Sequence, residues 1–278
     1  MEILKNTLRW NHDGDTQRRW SVTHANPYQR HELRRYSYGW EALQGRSGKH
    51  LDIGCGDGEF LNAVQATTEL DCFGIDAHEG YLAEGRHAFP HLKLEHAPVG
   101  SVRLPYQDET FDSVTLLDTL EHVPDDEACL REIARVLMPD GIVAITVPRL
   151  HIFSILDPGN AKYRIPRIHR WIYSRRFGAD VYYERFVDTS NGMRGDVAVQ
   201  RNGHTNYRPS DLLAMLRSCG FEPTEVSGAN LFWRFFHVPA LLVRSERLRT
   251  LLERIIYWDG VFFQSANLHI TARRLGKV

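Results

Sequence analysis

At 278 residues, with 42% hydrophobic and 25% charged positions, the chain has ordinary globular composition and enough length to bury one large core. Lys and Arg number 34 against 35 Asp and Glu, a net charge of −1, so no global field favours a polyanion and no nucleic-acid partner is expected. The four cysteines, Cys55, Cys72, Cys129 and Cys219, form no CxxC pair, which argues against a disulfide framework or structural zinc and fits a reducing compartment.

The first fifteen residues, MEILKNTLRWNHDGD, lack the unbroken apolar stretch of a signal peptide. The most apolar later segment, 231–243, is interrupted by Arg234 and His237 and is too short to span a bilayer, so a cytoplasmic location is expected. Residues 1–45 are expected to form a helical cap. From 46 to 148 four short apolar runs, 50–53, 72–75, 111–117 and 142–147, alternate with helix-length segments. That alternation is the mark of βαβ units on a parallel sheet, because parallel neighbours need a crossover that covers a sheet face. A further run at 92–94 is a candidate strand. After Pro124, Asp125, Asp126 and Glu127 place acid at a helix start, where the dipole favours it. Leu130, Ile133, Ala134 and Leu137 mark one face, and Pro139-Asp140-Gly141 is expected to end the helix. From 149 to 203 the pattern breaks into Pro, Arg, Tyr and Trp, which suggests an inserted lid or substrate segment. Residues 204–278 then complete the core: a helix starting at Ser210 and Asp211 and stopped by Gly220, a strand over 221–226, a helical stretch over 234–258 and an alternating strand over 266–272.

The most informative stretch is Gly54-Cys55-Gly56-Asp57-Gly58, which follows the first strand and runs into the apolar Phe60, Leu61 and Val64. Glycines there let backbone approach a ligand at a helix N-terminus. Asp76 ends the second strand, where a carboxylate can accept hydrogen bonds from ribose hydroxyls, so the combination points to adenosine. The dinucleotide fingerprint would need glycine at position 59, and Glu59 stands there. The plainer alternative is a tight strand-to-helix turn.

These segments resemble the class I S-adenosylmethionine (SAM) dependent methyltransferase superfamily. LDIGCGDGEF is similar to its first motif, GIDA to its acidic second-strand motif, LPYQDETFDSVTLLDTLEHVPD to its fourth-strand region, and LREIARVLMPDGIVAITVP to the helix and fifth strand that follow. The resemblance is specific over 49–148 and looser over 204–274. It implies a Rossmann-like, doubly wound, mostly parallel seven-stranded α/β sheet carrying an inserted lid, and SAM as cofactor with S-adenosylhomocysteine as product. It also implies site residues: Asp52, Gly54, Cys55 and Gly56 for the methionine end, Asp76 for the ribose, and Asp118 with Thr119 beneath the amino acid moiety. Where many relatives carry an acid after the third strand, this chain has Val99-Gly100-Ser101-Val102, which leaves adenine to the backbone of Ser101 and Val102 and to packing by Ala77 and Val102. The stretch before the first motif resembles a helix of some sugar and small-molecule enzymes, in which Tyr28 or Tyr36 would cap the cofactor.

Methyl transfer needs positioning and a dry pocket, and an alcohol acceptor adds the need for a base. Among 14 histidines, His204 and His122 are the candidates. A loop histidine that fixes a turn is the alternative for His204. Asp118, Glu121 and His122 resemble the ligands of magnesium-dependent O-methyltransferases, but the expectation is no metal, with His122 packing beside the cofactor and Glu121 bonding backbone. The segment 162–176 is strongly basic with an apolar face. It suits peripheral contact with an anionic membrane, a clamp on an acidic substrate, or a lid helix with solvated arginines. The cluster Leu231-Phe232-Trp233-Arg234-Phe235-Phe236 suits either buried core or the wall of a lipid pocket. The expected activity is O-methylation of a small molecule, sugar, glycolipid or lipid-linked acceptor. The alternatives are N- or C-methylation of a metabolite, and a non-catalytic SAM-binding regulator. The sequence leaves the oligomeric state open.

Overall fold

The computed structural model describes residues 34–97, 103–123, 125–150, 165–187, 205–229, 245, 247–248, 251–252, 255 and 267–276. After helix α1 (Arg34–Leu43) the chain alternates strand and helix: β1 (Ser47–Ile53), α2 (Glu59–Thr67), β2 (Glu69–Asp76), α3 (Glu79–Ala88), β3 (Lys93–His96) and β4 (Phe111–Leu117). A 3₁₀ turn (Leu120–His122) leads to α4 (Asp126–Val136) and β5 (Leu137–Pro148). Helices α5 (Pro166–Phe177) and α6 (Ala179–Phe186) follow, then α7 (Pro209–Ser218), β6 (Phe221–Ala229) and β7 (Asn267–Arg274).

The seven strands form one sheet in the order β3-β2-β1-β4-β5-β7-β6. The pairings of β1, β2, β3, β4 and β5 are parallel, and β7 runs antiparallel to both β5 and β6. This is the expected Rossmann-like architecture. Strand order reverses between β1 and β4, so the loops after these two strands diverge at the carboxyl edge and leave a crevice there.

Leu51, Ile53, Val114, Leu116, Val143 and Ile145 are fully or almost fully buried, as expected of parallel strands covered on both faces. Helix α4 forms where acid precedes a 3.6-residue apolar period: the Asp125 carboxylate caps it by accepting from Ala128 N at 2.8 Å, and Cys129, Leu130, Ile133 and Val136 are its buried face. It ends at Val136, before the expected Pro139-Asp140-Gly141 stop. Leu137, fully buried, is already extended and pairs with Phe111, so Pro139, Asp140 and Gly141 belong to β5. The last strand is also a correction. β7 lies between β5 and β6 and is buried on both faces over Leu268–Ala272 rather than alternating.

Among the described residues no helix is long and apolar enough to cross a membrane, and all four cysteines are free and buried.

Candidate functional site

The crevice is built from backbone first. Gly54 N and Cys55 N both donate to Ile75 O, at 2.8 and 3.1 Å, which bends the chain sharply as it leaves β1. Gly54 has φ +80°, and a Cβ there would collide with the Thr119 side chain from the loop after β4. Gly56 has φ +58°, and a Cβ there would enter open space. The loop is therefore tight against protein at its first glycine and open at its second, as a cradle for a ligand requires. Asp76, at the end of β2, pins this loop: its Oδ2 accepts from Gly56 N at 2.8 Å and its Oδ1 from His78 N at 2.7 Å. His78 in turn caps α3 by accepting from Tyr81 N. Cys55 and Ala77 are buried beside these groups, and the Ala77 carbonyl lies 3.1 Å from His96 Nε2.

Opposite the glycine loop, Asp118 sits just past β4 with φ 54°, an unusual conformation for a side-chain-bearing residue. It is held there from several directions. Asp118 N donates to Thr146 O at 3.0 Å and Thr146 Oγ1 at 2.9 Å, and that hydroxyl donates back to Asp118 Oδ1 at 2.6 Å. The Arg35 guanidinium, arriving from α1, donates to Asp118 Oδ2 at 3.0 Å. Burial works against the charge on Asp118, but Arg35, Thr146 and the nearby His269 outweigh it and hold its pKa below the ordinary value.

Helix α1 roofs this part of the crevice. Arg35 lies 4.8 Å over the Tyr36 ring, Tyr36 stacks on Phe60 at 5.3 Å, and Tyr38 bonds Thr271 Oγ1 at 2.5 Å while stacking on His269 at 4.8 Å. Asp52, 4% exposed, accepts from Thr115 Oγ1 at 2.6 Å. Burial pushes its pKa up to about 7, with Asp76 adding to the rise while Thr115 and Arg35 oppose it.

The crevice thus brings together Asp52, Gly54, Cys55, Gly56, Asp76, Ala77, Asp118 and Thr119, all expected from sequence. Arg35 was missed: nothing in the pattern of the run Arg34-Arg35-Tyr36 distinguishes it from its neighbour, and its partner lies 83 residues away. Glu121 is buried and half-buried His122 stands with Nε2 4.0 Å from its Oε1. Asp118 is engaged by Arg35 and Thr146, and among the described residues no three His, Cys, Asp or Glu side chains converge on a metal position. His204, Ser101, Val102, Tyr28 and the cluster 231–236 lie outside the described residues.

Residues 51–145 match the family described as a methyltransferase domain. Over 194 residues the chain is 29% identical to the ubiquinone biosynthesis O-methyltransferase of Bordetella avium (strain 197N), covering 67% of this chain and 66% of that protein. Over 100 residues it is 35% identical to the demethylmenaquinone methyltransferase of Bacillus mycoides (strain KBAB4), covering 34% of this chain and 42% of that protein. The chain therefore spans between about two fifths and two thirds of the length of these curated relatives. Among solved structures it is similar to the (4+2)-cyclase SpnF, with a TM-score of 0.55 and 18% identity, covering 88% of this chain and 82% of that one.

Proposed function

We propose that this chain, whose residues 51–145 are a methyltransferase domain of the class I SAM-dependent superfamily, transfers a methyl group from SAM to an oxygen of a quinone-type or other lipid-linked small molecule. The observation that carries the cofactor assignment is the Asp76 carboxylate pinning Gly56, whose missing side chain leaves open space in the crevice. In this reading Asp76 accepts from the ribose hydroxyls, and Ala77 with Ser101 and Val102 flanks the adenine. The loop backbone at Gly54, Cys55 and Gly56 lies along the methionine portion. Arg35 pairs with the carboxylate of that portion, and Asp52 and Asp118 with its ammonium; Thr119 supports the loop from below.

When bound, SAM supplies a methyl group on a sulfonium, already activated for in-line displacement. The protein's work is then to orient the acceptor, exclude water and take the acceptor's proton. His122, at the end of the 3₁₀ turn after β4, and His204 are the residues proposed to hold that proton.

The acceptor class is supported by the names of the two curated relatives, both enzymes of quinone synthesis. It is also supported by α5, which, with Ile165 just before it, exposes Ile168, Trp171 and Ile172 beside Arg167, Arg170, Arg175 and Arg176. An apolar stripe rimmed by cations is suited to the interface of an anionic membrane, where a lipid-linked acceptor resides.

A second reading, a SAM-fold protein that transfers no methyl group, follows from the likeness in fold to a cyclase. Incubation of the purified protein with methyl-labelled SAM and a panel of hydroxylated quinols, glycolipids and amines separates the two. Label in the quinol fraction with an O-methyl product supports the proposal, and label on nitrogen or carbon corrects the acceptor atom. SAM binding without transfer to any of them supports the second reading, and failure to bind SAM overturns both.

A further inference from the structure

Among the described residues, one buried polar side chain that the site as described does not use is His50. It lies on β1, 0% exposed, with Nδ1 2.9 Å from Ser113 Oγ and Nε2 3.1 Å from Thr115 Oγ1. Ser113 and Thr115 are themselves fully buried on β4, and the register pairs His50 with Ser113 and Asp52 with Thr115. Four polar side chains therefore form a ladder inside the sheet. Burying such groups costs free energy that apolar residues of similar size would not, so the ladder is poorly explained by stability alone.

The ladder has a direction. Thr115 has one hydroxyl proton, and it is donated to Asp52 Oδ1 at 2.6 Å. Thr115 Oγ1 can then only accept from His50, which requires the proton of the neutral imidazole to sit on Nε2. With Nε2 protonated, Nδ1 is an acceptor, and Ser113 must donate to it. Burial keeps the imidazole neutral by lowering its pKa to about 3, against the smaller opposing effect of the Ser113 backbone. Each bond in such a chain polarises the next, and the summed effect falls on Asp52.

We propose that His50 and Ser113 are positioning residues that act through Thr115 to keep Asp52 ionised and oriented toward the ammonium group of the cofactor's methionine portion. The inference rests on the cofactor reading above. The other groups within electrostatic reach of Asp52 are Arg35 and Tyr36 from α1, Cys72 and Asp76 from β2, and Cys55 in the glycine loop. Only His50 and Ser113 deliver their effect through the Thr115 hydroxyl.

Two measurements test this. Nitrogen-15 correlation spectra of the imidazoles in the wild-type protein at pH 7 should show His50 as the neutral Nε2–H tautomer; the Nδ1–H form or an imidazolium overturns the proposal. Calorimetric titration with SAM from pH 6 to 8.5 should find His50→Leu about tenfold weaker than wild type near pH 6.5, the equivalent of one hydrogen bond's worth of about 1.4 kcal/mol. The gap should close as alkali ionises Asp52 without help, and the ligand's own titration cancels in the ratio. His50→Gln, whose amide can donate at the Nε2 position, should recover most of the affinity. A folded His50→Leu with wild-type affinity at every pH overturns the proposal, as does a loss that is the same at every pH and equal in His50→Gln. Should His50→Leu not fold, Ser113→Ala removes the far end of the ladder at little steric cost and should show a smaller, equally pH-dependent loss; a flat profile overturns the proposal. If the wild type binds no SAM, the cofactor reading fails first; if it binds SAM and the variants behave alike, the positioning role alone fails.

Discussion

Asp76 uses both carboxylate oxygens within the protein, one on Gly56 N and one on His78 N, and each carboxylate oxygen can accept a further hydrogen bond. Asp76→Ala therefore removes the proposed ribose acceptor and unpins the glycine loop together. A hydrogen bond to a charged group contributes about 1.5–3 kcal/mol, so calorimetry should show SAM affinity falling by about tenfold to a hundredfold. Unchanged affinity in a folded variant removes Asp76 from the site. Arg35→Met should weaken SAM to a similar extent while leaving affinity for decarboxylated SAM within a few fold, because only the full cofactor carries the carboxylate assigned to Arg35. An equal loss for both ligands would mean that Arg35 merely holds Asp118. Asp52 makes a pH prediction with a definite sign. Its free-protein pKa is raised to about 7, and a bound ammonium group would lower it. Between the two values the free carboxyl is protonated and the bound one is not, so SAM binding at pH 6 should release protons, seen as a dependence of the binding heat on buffer ionisation enthalpy. Proton uptake there contradicts the placement of Asp52. The glycines and Asp76 were legible in the sequence because a close turn and a ribose acceptor demand those residue types in that order. Arg35 and His50 were not, because their partners are brought up by the sheet from 83, 63 and 65 residues away.

At the level of elements, the parallel strands were the most legible, since continuous apolar runs between helix-length segments fit a sheet covered on both faces and little else. The end of α4 was misplaced because Pro-Asp-Gly is a strong turn signal. The buried pairing of Leu137 with Phe111 starts the strand five residues before the expected run at 142–147 and leaves Asp140 to absorb the irregularity with φ 64°. Helix α5 was visible as basic and amphipathic, and the structure shows which side is turned away from its neighbour. His169 and Tyr173 pack toward Tyr182 of α6, at 5.7 and 5.9 Å between ring centroids, while Ile168 and Trp171 remain 53% and 62% exposed. Replacing Ile168, Trp171 and Ile172 by Ser, or reversing Arg167, Arg170 and Arg175, should abolish co-sedimentation with vesicles containing anionic phospholipid. SAM affinity should stay within a few fold of wild type. Loss of SAM binding in step with vesicle binding would place α5 in the structural core. Retained vesicle binding in both variants would assign the exposed face to something other than a membrane.

Over the whole molecule, the reversal of strand order between β1 and β4 puts the glycine loop, Asp76 and Asp118 at the carboxyl edge of the sheet, and α1 ties that edge to the antiparallel end through Tyr38 and Thr271. The proposed cofactor half therefore belongs to the sheet and α1, whereas α5 and α6 pack on each other through His169, Tyr173 and Tyr182. Two consequences can be measured together. SAM at a hundred times its dissociation constant should stabilise the protein by about 2.7 kcal/mol, because it binds only the folded state. Hydrogen exchange should show where the stabilisation is localised: slowed exchange in α1, in residues 54–58 and in residues 118–123, with the amides of 166–186 unchanged until an acceptor or a lipid surface is added. A sheet edge assembled before binding also predicts that protection is confined to these loops and α1 and does not extend evenly over β6 and β7. If SAM alone protects 166–186 as strongly as 54–58, the two helices are part of the cofactor site, and selection of the acceptor must reside elsewhere in the chain.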